Sequence, residues 1–446
     1  MMTDSQAAVR LLRNATVLPM NNRDPLIGYD VEIADGVIKR IGKNLKPAPG
    51  TAIENLHGDY LLPGFIHAHV HLCQTLFRHE AEGRTLVPWL RERILPFEAA
   101  HNPDSIRVSA TLGIGELLLS GATALLDMGT VQHTDHIAET IYEQGIRATF
   151  GKAMMDRPTP ELDALHESTA QSIDASMGLA RQWHETDGGR MRYGFAPRWV
   201  LSCTAGLQEE IARIAKEHDY LIHTHAAENI DECKAVEEQY GERNIHALNT
   251  LGLASDRSVF AHCIHLDQSE RDVLASSGTT VAHCPSANMQ LGSGICDVPT
   301  LLKNGINVAI GADGAPCNNA LDGFREMLLA HHLQSLKHHP NALTPGEILE
   351  MMTMGGARAL RIDDRVGSVE VGKDADLIRL ERRDFRLGYG SDPFTQIVLC
   401  GSRDLLKTLW VRGEALVEDG TLTRINGSEL HAHAVDERRA LLDRVS

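Results

Sequence analysis

The sequence predicts an α/β protein, a (β/α)8 TIM-type barrel joined to a small β-sandwich domain that both termini build together. Three features lead there. Eight short β-rich runs alternate with longer helix-like segments between residues 61 and 313, hairpin-like material flanks them on both sides, and several of the runs end in metal-ligating side chains.

The first stretch reads as short strands and turns. Val31–Ala34 and Val37–Ile41 flank Asp35-Gly36, a dipeptide suited to a tight hairpin turn. The eight runs follow: Leu61–His71, Ala122–Met128, Arg147–Met155, Arg192–Arg198, Leu221–Glu228, Val259–His262, Thr279–Ser286 and Asn307–Asp313. After Gly367 the hairpin character returns in Ala375–Leu380 and Thr408–Val417. The expected division is a composite sandwich from residues 1–62 and 367–446 around a barrel of residues 63–366.

Composition narrows the function. The chain has 446 residues, 43% hydrophobic and 23% charged, enough to bury a core without disulfides. Lys and Arg number 43 against 60 Asp and Glu, a net charge of −17, which repels nucleic acid and anionic membrane surfaces. The first twenty residues show no secretory leader pattern, and no apolar run reaches the length of a membrane span. The eight cysteines form no C-x-x-C pair and read as reduced, buried residues of a cytoplasmic protein. Histidine, at 23, is over-represented, and the histidines gather at run ends.

Those ends carry the chemistry. Run one closes with His67-Ala68-His69-Val70-His71, and run five with His223-Thr224-His225-Ala226-Ala227-Glu228. Runs six, seven and eight close with His262, His283 and Asp313. The carboxyl ends of barrel strands share one face, so groups distant in sequence converge there. Two histidines separated by one residue on a strand lie on the same side, about 7 Å apart along the chain. Neutral imidazoles suit zinc or iron, and a carboxylate can complete the set.

Pro63–His71, His225–Glu228, Ala261-His262-Cys263, His283–Asn288, Gly311–Gly314 and Gly367–Leu377 together resemble the amidohydrolase superfamily, in its order and over nearly the whole chain. Within it the chain is most similar to the branch of S-adenosylhomocysteine, methylthioadenosine and 5′-deoxyadenosine deaminases, with triazine hydrolases and guanine deaminase as neighbours. The resemblance implies one divalent metal, zinc as first choice and iron as the alternative, held by His69, His71, His225 and Asp313 with a water. Binuclear relatives end strand four with a carboxylated lysine; Arg198 stands there, and a guanidinium cannot be carboxylated. By the same resemblance Asp313 takes the water's proton, Glu228 protonates the ring nitrogen and then the departing amine, and His262 orients the nucleophile. His283 is expected behind the ligands or at the substrate edge. His67 departs from the Asn or Asp of relatives and is expected on the same strand face as His69 as a support.

The substrate expectation rests on fewer residues. Glu98 and Trp89 resemble the glutamate that holds ribose hydroxyls and the accompanying tryptophan of S-adenosylhomocysteine deaminases, and Ala315–Asn319 is close to the adenosine-type members. Arg198 and Gln74 instead resemble the base-binding residues of guanine deaminase. The expected reaction is hydrolysis of an adenosine-like nucleoside (5′-deoxyadenosine, methylthioadenosine or S-adenosylhomocysteine) to the inosine analogue and ammonia. The alternatives are an aminohydrolase of guanine or another purine or pterin base, and an s-triazine hydrolase. A barrel kept only as an interaction module would be expected to lose ligands, and this chain keeps all four and Glu228. A small-molecule purine is the expected partner, and a homo-oligomer the expected assembly.

Overall fold

In a computed structural model, residues 9–22, 24–157, 165–387, 389–390 and 392–445 are described. The first eight residues and the last one of the expected composite domain lie outside them. The two chain ends meet in one nine-stranded mixed sheet. It takes β1 (Arg10–Val17), β2 (Leu26–Ala34), β3 (Val37–Gly42), β4 (Ala52–Asn55) and β5 (Tyr60–Pro63) from the first part of the chain. Asp35 and Gly36 between β2 and β3 both have positive φ (53° and 74°), as the hairpin turn requires.

The barrel follows as β6 (Phe65–His71), β7 (Ala122–Asp127), β8 (Arg147–Phe150), β9 (Ala153–Met154), β10 (Met191–Pro197), β11 (Leu221–Ala226), β12 (Ser258–His262), β13 (Thr280–His283), β14 (Val308–Ile310) and β15 (Asp313–Gly314). All pairings in this second sheet are parallel. Its last strand is split: β14 bonds to β13, and β15, two residues on, bonds to β6. The split strand thereby touches both ends of the parallel order. The chain then returns to the mixed sheet with β16 (Leu377–Leu380), β17 (Leu406–Val411), β18 (Glu414–Glu418) and β19 (Thr421–Leu422). The pairing of β5 with β16 joins the two halves of that sheet.

Side chains inside the barrel are small. Ala68, Ala124, Ala261, Ala282 and Ala309 form one cluster with Ile66, Leu126 and Val259, while Val70, Leu125, Phe260, Val281 and Ile310 pack outward against the helices. Alternation along each strand thus separates an inner from an outer set. Where the two domains meet, Arg147 on β8 is buried and donates to Asp376 (Nε to Oδ2, 2.7 Å) and Asp374 (Nη2 to Oδ2, 2.8 Å).

The C-terminal residues depart from the expected division. Gly427–Val445 is a helix that lies on the barrel helix Pro103–Leu119, with Leu441 buried and Arg444 Nε donating to Ala100 O at 2.6 Å. The hairpin pattern of 367–422 gave no hint that a helix would recross to the other domain.

Removing one partner of a buried ion pair leaves the other charge unsolvated and costs about 3–5 kcal/mol. Arg147→Ala should therefore lower the urea midpoint clearly. Adding Asp376→Ala to it should cost less than the sum of the two single changes, because the residues share one interaction.

Candidate active site

Four side chains meet at the carboxyl end of the barrel. One donor atom from each of His69, His71, His225 and Asp313 lies within 4.8 Å of every other. His69 Nε2 and His71 Nε2 stand 3.3 and 3.5 Å from Asp313 Oδ1, and His71 Nε2 stands 3.2 Å from His225 Nε2. Regular alternation would not bring them together. Between His67 and Val70 the register of β6 against β7 shifts, and three residues of β6 oppose two of β7. This bulge turns His69 inward although Ala68 also faces in. Asp313 pairs in register with the outward Val70, but its φ of +60° swings the carboxylate to the inside. His262, following the inward Ala261, is likewise turned in by a φ of +75°. Such left-handed backbone on non-glycine residues costs of order 1–3 kcal/mol each and gathers at functional sites.

Hydrogen bonds fix which nitrogens are free. His225 Nδ1 lies 2.6 Å from Arg198 O, a carbonyl that only accepts, so the proton sits on Nδ1 and Nε2 presents a lone pair to the cluster. His69 Nδ1 is held 2.7 Å from His223 Nε2, which leaves its Nε2 turned to Asp313 Oδ1 at 3.3 Å. Burial holds His71 and His225 well below the ordinary histidine range, so both are neutral at pH 7. Burial opposes the Asp313 charge, but the His69 hydrogen bond and the surrounding imidazoles keep its carboxyl well below the usual range. Bonds of about 2.0–2.2 Å to a tetrahedral ion separate ligand atoms by roughly 3.4 Å. The 3.2–3.5 Å spacings fit that requirement.

The proton-handling groups lie next to the cluster. His262 Nε2 is 3.5 Å from Glu228 Oε2 and 3.8 Å from Asp313 Oδ2, while its Nδ1 lies 2.9 Å from Asn288 Oδ1. Burial works against a charge on His262, but the Glu228 and Asp313 carboxylates raise its pKa. Burial also pushes the Glu228 carboxyl up to about 7, against the pull of His262. Ser293 Oγ donates to Glu228 Oε1 (3.1 Å), and the Glu228 amide donates to Glu232 Oε2 (2.8 Å). Glu228, Glu232, His262 and Asp313 border a cavity of about 30 Å³ lined also by Gln74, Trp89, Arg198 and Leu291.

Glu98, expected to face ribose hydroxyls, is buried behind that wall. It accepts from Arg198 through both oxygens and from Gln74 Nε2 (2.9 Å), so about three of its four lone-pair positions are used. Arg198, Gln74 and Trp89 do reach the cavity. His283, expected at the substrate edge or behind the ligands, pairs in register with the outward Ile310 and is absent from the cavity wall. His67 corrects the expected face. It pairs with the outward Leu125 and packs at the start of the helix Gly323–Lys337, because the bulge comes after it. Sequence reasoning assigned no role to His223, Asn288, Ser293 and Glu232; His223 and Asn288 stood inside the motifs, whereas nothing local marked Ser293.

Residues 60–415 match the amidohydrolase family. The chain belongs to that family. It is 35% identical over 393 residues to a 5′-deoxyadenosine deaminase of Methanothermobacter thermautotrophicus, covering 88% of this chain and 90% of that one. It is 32% identical over 420 residues to a 5-methylthioadenosine/S-adenosylhomocysteine deaminase of Nitratidesulfovibrio vulgaris, 93% of each. A zinc-bound adenosine deaminase of Xanthomonas campestris superposes with a TM-score of 0.91 at 29% identity, over 98% of this chain and 99% of the other. Family members share the TIM barrel that the parallel sheet forms here. No helix among the described residues is long and apolar enough to cross a membrane.

One buried acid near this amidohydrolase site gives a pH test. Glu326 accepts from Ser286 and from Asn318 Nδ2 (3.0 Å), and Asn318 also donates to Ala312 O (2.6 Å) just before Asp313. Burial raises its carboxyl to about 7. The folded state therefore holds a proton that the unfolded state releases near its ordinary pKa of 4.5. This contribution is full below that value and is lost as pH rises through about 7. Glu326→Gln should flatten the fall in melting temperature between pH 5 and 7.5.

Proposed function

We propose that this amidohydrolase deaminates an adenosine-like purine nucleoside, releasing the inosine analogue and ammonia, with one zinc ion held by His69, His71, His225 and Asp313. One observation carries the reading: Glu228, His262 and Asp313 stand in a buried chain beside the four-donor cluster, at the floor of a cavity bordered by Trp89. The deaminase names of the relatives, with their coverage of nearly the whole chain, support the substrate class.

A bound divalent ion lowers the pKa of water from about 15.7 to about 7 and so supplies a nucleophile at neutral pH. The protein's residues manage the protons. Asp313 Oδ2 faces His262 and accepts the water's proton. Glu228, whose carboxyl burial pushes up to about 7, donates its proton to the ring nitrogen beside the attacked carbon, then takes the proton remaining on the attacking oxygen and passes it to the leaving amine. His262, tied to Asn288, keeps the two carboxylates apart and oriented. Trp89 offers the purine an apolar face.

A second reading is favoured by a specific observation. Arg198 and Gln74 border the cavity while Glu98 anchors both from behind, an arrangement suited to a base bearing a carbonyl, such as guanine. For Glu98 to accept two ribose hydroxyls, Arg198 or Gln74 must give up one of the three bonds they make to it.

Ammonia release by zinc-loaded protein from 5′-deoxyadenosine, methylthioadenosine, S-adenosylhomocysteine, adenosine and guanine separates the two. Preference for the nucleosides supports the first reading, and turnover of guanine alone replaces it with the second. Glu228→Gln should retain the ion by metal analysis and lose about 10²–10⁴ in kcat. Wild-type turnover in that variant would remove Glu228 from the mechanism.

A further inference from the structure

The two groups that handle protons beside Asp313 are both held by one short piece of chain. The helix Pro285–Gln290 leaves β13 and ends in a Schellman motif. Gly292 takes the left-handed position with a φ of +63°, and its amide donates to Met289 O at 3.1 Å. The Ser293 amide donates back to Asn288 O at 2.9 Å. The motif thus ties the backbones of Asn288 and Ser293 together, and both side chains are buried.

Each side chain grips a different proton carrier. Asn288 Oδ1 lies 2.9 Å from His262 Nδ1. An amide oxygen only accepts, so the imidazole proton sits on Nδ1 and Nε2 is turned to Glu228 Oε2 and Asp313 Oδ2. Ser293 Oγ donates to Glu228 Oε1 at 3.1 Å. The torsion that rotates a carboxyl group is soft and roughly two-fold, so the rest of the Glu228 side chain does not decide which oxygen carries the proton. With Oε1 accepting from Ser293, the proton of the neutral acid goes to Oε2, the oxygen that faces His262.

The turn is itself anchored on both sides. Ser286 donates its amide to Glu326 Oε2 at 3.1 Å, and the Ser293 carbonyl accepts from His265 Nε2 at 2.9 Å. Gly294 fits closely behind it: its φ is +129°, and a Cβ there would stand 3.0 Å from Ile264 Cγ2. We infer that Asn288 and Ser293 are paired positioning residues, and that the turn joining them aligns His262 Nε2 with the transferable proton on Glu228 Oε2. Neither residue lines the cavity, so each acts through the group it holds. The inference rests on the proton-handling roles given to Glu228 and His262 above, and it applies to a nucleoside and to a free base alike.

The test measures kcat, KM, zinc content and melting temperature of zinc-loaded wild type, Ser293→Ala, Ser293→Thr, Asn288→Ala and the double alanine variant, on the purine that the wild type turns over fastest. Each single alanine variant should keep its zinc and lose about tenfold or more in kcat, with KM within about twofold. Ser293→Thr keeps the hydroxyl and should stay within about threefold of the wild-type kcat. If the added methyl unfolds that variant, Ser293→Cys, a weaker donor of similar size, replaces it and should recover part of the loss. The double variant should lose less than the product of the single losses, because both residues serve one alignment. Wild-type kcat in Ser293→Ala, a KM that rises as much as kcat falls, a folded Ser293→Thr as slow as Ser293→Ala, or losses that multiply in the double variant would each overturn the inference and leave the deaminase reading standing. Absence of turnover by the wild type on every purine would bring down both.

Discussion

A carboxylate buried among imidazoles sets the terms for the rest of the molecule. Asp313 lies where solvent cannot stabilise its charge, and its neighbours His71 and His225 are themselves kept neutral by burial. Three β-strands must end at one point for that contact to exist, and two of them must break their own regularity to do so. The bulge in β6 and the left-handed turn at Asp313 are local strain that the closed ring of strands imposes and maintains. Neighbouring elements hold these ends in place: Glu326 on the helix Gly323–Lys337 acts through Asn318, and Asp127 at the end of β7 accepts the Leu72 amide just past His71.

Much of this was legible in the sequence. Alternating runs and their polar ends pointed to the barrel, and the ordered set of histidines with Asp313 pointed to a metal cluster. The residues misplaced by that reading share a physical cause. A two-residue period assigns faces only while the strand is regular, and one bulge reverses every assignment on one side of it. His67 therefore faces the helices while His69 faces Asp313 and the other histidines of the cluster. The outward position of His283 follows the regular alternation of β13 and could have been read from it. His262 and Asp313 are of residue types enriched in left-handed backbone, but most Asp and His among the described residues are not left-handed, so the sequence does not single out these two. The helix Gly427–Val445 escaped notice because its only fully buried side chain is Leu441, which leaves a faint apolar face.

Glu98 shows a different limit. Its position matched a ribose-binding residue, and its depth beneath the cavity wall could not be seen in one dimension. A buried carboxylate and guanidinium will find each other whenever the fold allows it, because either left alone would be costly. The same pair that hides Glu98 orients Arg198 and Gln74, so a substitution at Glu98 acts on the wall of the cavity as well as on any sugar.

The sheet shared by both termini has a consequence for how the chain is made. Tyr60 donates to Gln396, 336 residues later, and β5 finds its neighbour β16 only when the last part of the chain has been synthesised. At about 5–20 residues per second the ribosome needs roughly twenty seconds to a minute to cover that distance. Throughout that time the edge of β5 stands open, with the buried Leu61 and Leu62 lacking their covering strand. The nascent polypeptide is thus exposed to wrong strand pairing for most of its synthesis, and the domain that begins first is completed last.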